Sequence, residues 1–169
     1  KLPDSIMIPA STMSEDEITD SDGQQLSLSE AQYKVLERLM KRENTFFTGA
    51  AGTGKSYCIN VLESVLRKLD KLNVVARTAP TGVAACNISG MTIHSWAGVG
   101  LGLDSVENMA KKIQGRGMDA VRQRWKNTEI LVIDEISMLD AKILDFLDQS
   151  AKRLRNNEEP FGGIQVVLT

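Results

Sequence analysis

The sequence predicts an α/β fold, a parallel sheet in a three-layer αβα arrangement. Three observations carry that reading. Strand-like and helix-like segments alternate from about residue 30 onward, as in a parallel sheet with crossover helices. The stretch Gly49-Ala50-Ala51-Gly52-Thr53-Gly54-Lys55-Ser56 lies between a strand signal and a helix signal. The run Glu129-Ile130-Leu131-Val132-Ile133-Asp134-Glu135 suits a strand buried on both faces and ends in two carboxylates.

Each element has its own local cause. Ser29 can cap a helix from Glu30 to about Arg42, with Tyr33, Leu36, Leu39 and Met40 on one face. Asn44-Thr45-Phe46-Phe47-Thr48 reads as a buried strand, and Tyr57 to Leu69 as the helix after the glycine-rich loop. Asn73-Val74-Val75-Ala76-Arg77-Thr78 is a second strand, ended by Pro80, and Thr81 can cap a short helix Gly82–Asn87. Glycines at 98, 100 and 102 predict a flexible loop. Helical segments near 105–114 and 118–126 precede the apolar strand. A helix from Asp140 to Arg155 and a last strand, Ile164-Gln165-Val166-Val167-Leu168, follow it. There is no internal repeat.

The glycine-rich stretch reads G-x-x-x-x-G-K-S, the phosphate-binding P-loop. Its glycines let successive backbone N–H groups point at phosphate oxygens, and the helix start adds partial positive charge. The cradle comprises Gly49, Ala50, Ala51, Gly52, Thr53 and Gly54. Lys55 reaches the β- and γ-phosphates, and the Ser56 hydroxyl ligates Mg²⁺. The chain therefore binds a nucleoside triphosphate. Asp134 is placed to hold the Mg²⁺ shell as a Walker B aspartate, and Glu135 to polarise an attacking water. The other reading of the pair, an ordinary strand followed by an acidic helix cap, loses most of its weight once the P-loop stands upstream. Hydrolysis, as opposed to binding, rests mainly on Glu135.

Composition bounds the rest. At 169 residues the chain can bury one full core, and 42% apolar with 25% charged residues is ordinary for a globular domain. No apolar run approaches a membrane span, and no secretory segment is present. Cys58 and Cys86 fall in helical segments and read as small buried hydrophobes of a reducing compartment; one histidine in the chain leaves no zinc site. The net charge of −2 averages an N-terminal −6 over residues 1–30 and +4 over residues 31–169. Residues 1–26 read as an acidic, flexible leader, with Ser14 before three acids either a phosphorylation site or part of a solubilising tail. A start at Lys1 and an end at Leu168-Thr169, on a strand, lead us to expect a piece of a longer protein.

Taken together, Gln32, GAAGTGKS (49–56), TAPTGVAA (78–85), TIHSWAG (92–98), VIDEISM (132–138) and FGGIQVVLT (161–169) resemble a known family. They are similar to the first RecA-like domain of the PIF-type DNA helicases, 5′-to-3′ enzymes of superfamily 1 related to the RecD group. The resemblance covers about residues 26 to 169, in order. It implies a domain over 27–169, cut at the motif III strand, from an ATP- and Mg²⁺-dependent helicase of genome maintenance. It implies single-stranded and forked or structured DNA as partners, a monomer, no membrane, and the nucleus or mitochondrion as the compartment. Gln32 matches the Q motif that reads adenine; its amide offers the donor and acceptor such an edge needs. Thr78 to Ala85 matches motif Ia and Thr92 to Trp96 motif Ib, which contact the DNA backbone. The contacts fall to Pro80, Thr81, Gly82, His94 and Ser95.

Alternatives stay open at several of these positions. Gln32 alone reads as an exposed helix residue, and His94 equally as a hydrogen-bonded structural histidine. Trp96 is expected in the core. Lys111, Lys112, Arg116, Arg122, Arg124 and Lys126, against Asp119, form either a second DNA surface or a solvated helix face. A non-helicase P-loop ATPase and a noncatalytic nucleotide-dependent DNA-binding module are the competing functions. Without the second RecA-like domain and its arginines, these residues are expected to bind Mg-ATP weakly and turn it over poorly.

Overall fold

The computed structural model describes residues 28–50, 52–68, 74–100 and 105–169. They fall into two compact units, one ending at Leu72 and the other spanning Asn73–Thr169. The acidic leader, Ala51, the expected helix end at Leu69, the expected strand start at Asn73 and the loop residues 101–102 lie outside the described residues.

In the first unit, α1 (Glu30–Met40) begins at a capping box. The Ser29 hydroxyl accepts the Gln32 N–H, and the Gln32 side chain accepts the Ser29 N–H at 2.9 Å. Leu36, Leu39 and Met40 are buried, as their spacing predicts. β1 is only Thr45–Phe46, shorter than the apolar run suggested, and Phe46 is exposed. α2 (Lys55–Lys68) packs on α1 and buries Cys58, Ile59, Val61, Leu62, Val65 and Leu66 at helical spacing.

The second unit is a parallel α/β sheet with strand order β5–β4–β2–β3. β2 (Val75–Ala79), α3 (Gly82–Asn87), β3 (Met91–Thr92), α4 (Ile93–Ala97), α5 (Val106–Gln114), α6 (Asp119–Asn127), β4 (Ile130–Ile133), α7 (Ala141–Arg155) and β5 (Gln165–Leu168) follow in chain order. β4 lies between β2 and β5, with Ile130 opposite both Val75 and Gln165. All four of its residues are buried, which is why the sequence shows a continuous apolar run instead of alternation. Leu131 and Ile133 join a core with Ile93, Trp96, Met109, Ile113, Trp125, Phe146, Leu147 and Ile164. The Trp96 and Trp125 rings stand at 4.5 Å, tilted by 51°, so Trp96 is a core residue as expected. Cys58 is buried, but Cys86 is exposed on α3, a correction to the expected pair of buried thiols; both are free.

Arg155, at the end of α7, closes this unit. Its Nε donates to Gly162 O at 2.8 Å, and its Nη1 to the carbonyls of Trp125 (2.7 Å), Lys126 (2.9 Å) and Thr128 (3.1 Å). Burial pushes its guanidinium pKa down, opposed by the charge of Glu129. The carbonyl of Gly162 faces it because Phe161, Gly162 and Gly163 all take left-handed conformations. A Cβ on Gly162 would stand 2.7 Å from Ala151 O, so that position needs glycine. Arg155→Met is expected to destabilise the protein by about 2 kcal/mol or more, because it strands several carbonyls that a charged donor satisfies. A urea melt whose midpoint does not move would show those bonds to be dispensable.

Candidate nucleotide and nucleic-acid site

The phosphate loop belongs to the first unit. Gly52 and Gly54 adopt φ of +82° and +85°, conformations that turn the chain sharply into α2. The first intrahelical bond of α2 runs from Cys58 N to Gly54 O at 3.0 Å. The N–H groups of Lys55, Ser56 and Tyr57 thus precede the hydrogen-bonded ladder and remain available to an anion. Thr53 braces the loop by donating its hydroxyl to Ala50 O at 2.8 Å. The Lys55 Nζ lies back over the loop, donating to Gly49 O at 2.8 Å and Ala50 O at 3.4 Å. Neutral carbonyls are weaker partners than phosphate oxygens, so a polyphosphate can take the ammonium from them. Ser56 is exposed in the first turn of α2.

Gln32 meets this loop directly. Its Nε2 donates to Thr53 O at 3.4 Å while its Oε1 accepts the Ser29 N–H. A Cβ on Gly54 would run into that same Nε2. The amide keeps one N–H and one lone pair for a further partner. Gln32 is therefore both the N3 residue of a capping box and a strut to the loop. The Ser-x-x-Gln spacing is the sequence signal for the first role, and spacing alone does not disclose the second.

The carboxylates belong to the second unit. Asp134, at the carboxyl end of β4, is 7% exposed. Its N–H donates to Thr78 O at 2.9 Å, and its Oδ1 accepts the Thr169 hydroxyl. Thr169 also accepts the Ile136 N–H through its carbonyl at 2.9 Å, tying the end of β5 to the turn after β4. Thr78 is fully buried and donates its hydroxyl to Val132 O at 2.6 Å. Sequence reasoning missed Thr169 and Thr78 as neighbours of the acid; the small polar residue closing each apolar strand was the available signal. Glu135 is exposed, with φ 53° and ψ 46°.

The residues matched to motifs Ia and Ib run from the last residues of β2 and β3 into the helices that follow. Thr81 caps α3, accepting the Ala84 N–H at 3.2 Å, while Gly82 is exposed and Pro80 half-buried. Thr92 caps α4, accepting the Ser95 N–H at 3.2 Å and donating to the Ser95 hydroxyl at 2.9 Å. Ser95 is exposed and His94 half-buried. Of the basic stretch, Arg122 bonds Asp119 and the carbonyls of Ile113 and Gln114, and Arg124 bonds Ser95 O and Trp96 O. Lys111, Lys112, Arg116 and Lys126 are exposed. The stretch thus divides into two inward staples and an outward charged face; the sequence reading, a DNA surface or a solvated helix face, had all six cations pointing outward.

The model of the PIF1-like helicase family matches residues 27–169. The chain belongs to the PIF1-like helicase family. It is 44% identical over 146 residues to the ATP-dependent DNA helicase RRM3 of Saccharomyces cerevisiae, covering 84% of this chain and 20% of that protein. The crystal structure of Pif1 helicase from Candida albicans superposes with a TM-score of 0.76 at 46% identity, over 85% of this chain and 32% of that one. Pif1 helicase from Bacteroides, solved with ADP-AlF3 and single-stranded DNA, gives a TM-score of 0.68 at 33% identity, over 85% and 32% of the two chains. The chain spans about a fifth of the curated relative it matches. The α/β P-loop fold expected from the sequence is that of the PIF1-like helicases.

Proposed function

We propose that residues 27–169 form the first RecA-like domain of an ATP-dependent 5′-to-3′ DNA helicase. The observation that carries this is the joint presence of a formed P-loop, a strand-end Asp134–Glu135 pair and the motif Ia and Ib helices in a PIF1-like chain. In this reading Gln32 reads adenine, and the backbone of 49–54 with Lys55 holds the phosphates. Glu135 orients water for in-line attack on the γ-phosphorus, and Lys55 neutralises the charge that develops on its oxygens. Pro80, Thr81, Gly82, His94 and Ser95 hold the phosphates of single-stranded DNA. His94 is half-buried and stands next to the exposed Ser95 on α4.

Each residue read as a Mg²⁺ ligand has an oxygen to give: Ser56 its hydroxyl, and Asp134 an Oδ2 left once Oδ1 accepts Thr169. Mg²⁺ commonly takes one or two protein ligands and fills the rest of its shell with phosphate and water. Such an ion would supply positive charge against the phosphates. A second domain, with arginines that complete the site, is needed for rapid turnover and translocation. Single-stranded and forked DNA in the nucleus or mitochondrion are the proposed setting, with the monomer as the working unit.

The test is ATP hydrolysis by the longer protein, extended through its second domain, with and without single-stranded DNA. Strong stimulation by DNA is the expected result. Turnover indifferent to DNA would favour a non-helicase ATPase.

A further inference from the structure

α4 has only five residues, too few to hold a helix by its own bonds. Its C-terminal carbonyls are satisfied from α6. Arg124 Nη2 donates to Ser95 O at 2.8 Å, Arg124 Nε to Trp96 O at 3.1 Å, and Trp125 Nε1 to Ala97 O at 3.0 Å. Three successive carbonyls are thus taken by two adjacent side chains of one neighbouring helix. Gly98 ends α4 at φ +73°, and a Cβ there would stand 2.6 Å from Val121 Cγ1, so α6 also fixes how closely the chain passes. His94 and Ser95 are the second and third residues of the same helix, which Thr92 caps.

We propose that Arg124 is a positioning residue for DNA binding: its guanidinium fork fixes α4, and through α4 the placement of His94 and Ser95 against a DNA phosphate. The inference rests on the reading of α4 as a DNA contact. It assigns Arg124 a role different from a direct phosphate contact, which its place in a basic stretch would suggest. A guanidinium presents several donors in a rigid plane and can hold two carbonyls at once in a fixed geometry. A lysine ammonium keeps the charge but loses that fork.

The two roles separate in the full-length protein. Single-stranded DNA affinity would be measured by anisotropy over a range of salt for Arg124→Lys, Arg124→Gln, His94→Ala/Ser95→Ala and the combined variants. ATP-analogue affinity at the P-loop would serve as the folding control. Positioning predicts that Arg124→Lys and Arg124→Gln each weaken DNA binding by about tenfold, as expected when one hydrogen bond to the DNA can no longer form. Neither weakens binding further in the His94→Ala/Ser95→Ala background. Full rescue by Arg124→Lys, with a reduced salt slope only in Arg124→Gln, would overturn the proposal in favour of a direct phosphate contact. Wild-type affinity in both Arg124 variants would also overturn it. If His94→Ala/Ser95→Ala alone binds DNA normally, the reading of α4 as a DNA contact falls, whatever Arg124 does.

Discussion

Replacing Lys55 by alanine is expected to lower kcat for ATP hydrolysis by roughly 10²–10³-fold, the usual loss when one donor to a developing oxyanion is removed. The ammonium is the mobile positive charge of the loop, held by Gly49 O and Ala50 O at 2.8 and 3.4 Å. Both carbonyls belong to the loop itself, so their release costs the fold little. The backbone cradle around Gly52 and Gly54 does not depend on the side chain. The variant should therefore melt close to wild type and bind nucleotide more weakly. Single-turnover hydrolysis, run beside a thermal melt, separates the two effects. A folded variant keeping more than about a tenth of the wild-type rate would remove Lys55 from the chemistry.

Glu135→Gln is expected to keep nucleotide affinity and lose roughly 10²–10⁴-fold in kcat, the range for removing a general base. Glutamine has nearly the same shape and the same helix-end preferences, but cannot accept a proton from water. The carboxylate stands beyond β4 on a backbone turned left-handed, one residue after a buried aspartate that is anchored by Thr169 and Thr78. The exposed acid is thus free to address water while the buried one is pinned. ATP-analogue binding together with steady-state hydrolysis in the full-length protein is the measurement. Normal turnover would place the base elsewhere.

What the sequence made legible follows from length and chemistry. β4 and the P-loop were plain, because a strand buried on both faces and a phosphate cradle each demand a narrow choice of residues. The helix capped by Thr81 falls on Gly82–Asn87 as expected, and the longer helices differ from their expected limits by a residue or two. β3 and α4 were not foreseen as elements. They have two and five residues, too short for any period to show, and α4 is held by bonds from residues about 28 positions away. The same distance hid the inward roles of Arg124 and Arg155, while Arg122 turns to carbonyls eight and nine residues back, across the α5–α6 connection. Cation spacing marks a charged helix, but which charges turn inward depends on carbonyls brought by other elements.

The left-handed turn at Glu135 has a consequence for stability. Arg42, Ser89 and Asn156 also take positive φ, but each follows the end of a helix, where the chain commonly turns that way. Phe161 belongs to the turn before β5, whereas Glu135 follows a strand. A side chain there costs about 1–2 kcal/mol in backbone conformation, and glycine would remove that cost while giving back part of it in unfolded-chain freedom. Folding therefore supplies no reason to keep glutamate at this position. In the proposed reading of Glu135 as the group that orients water, hydrolysis would offset that backbone cost, whereas a nucleotide-binding module without turnover would have no use for a side chain there.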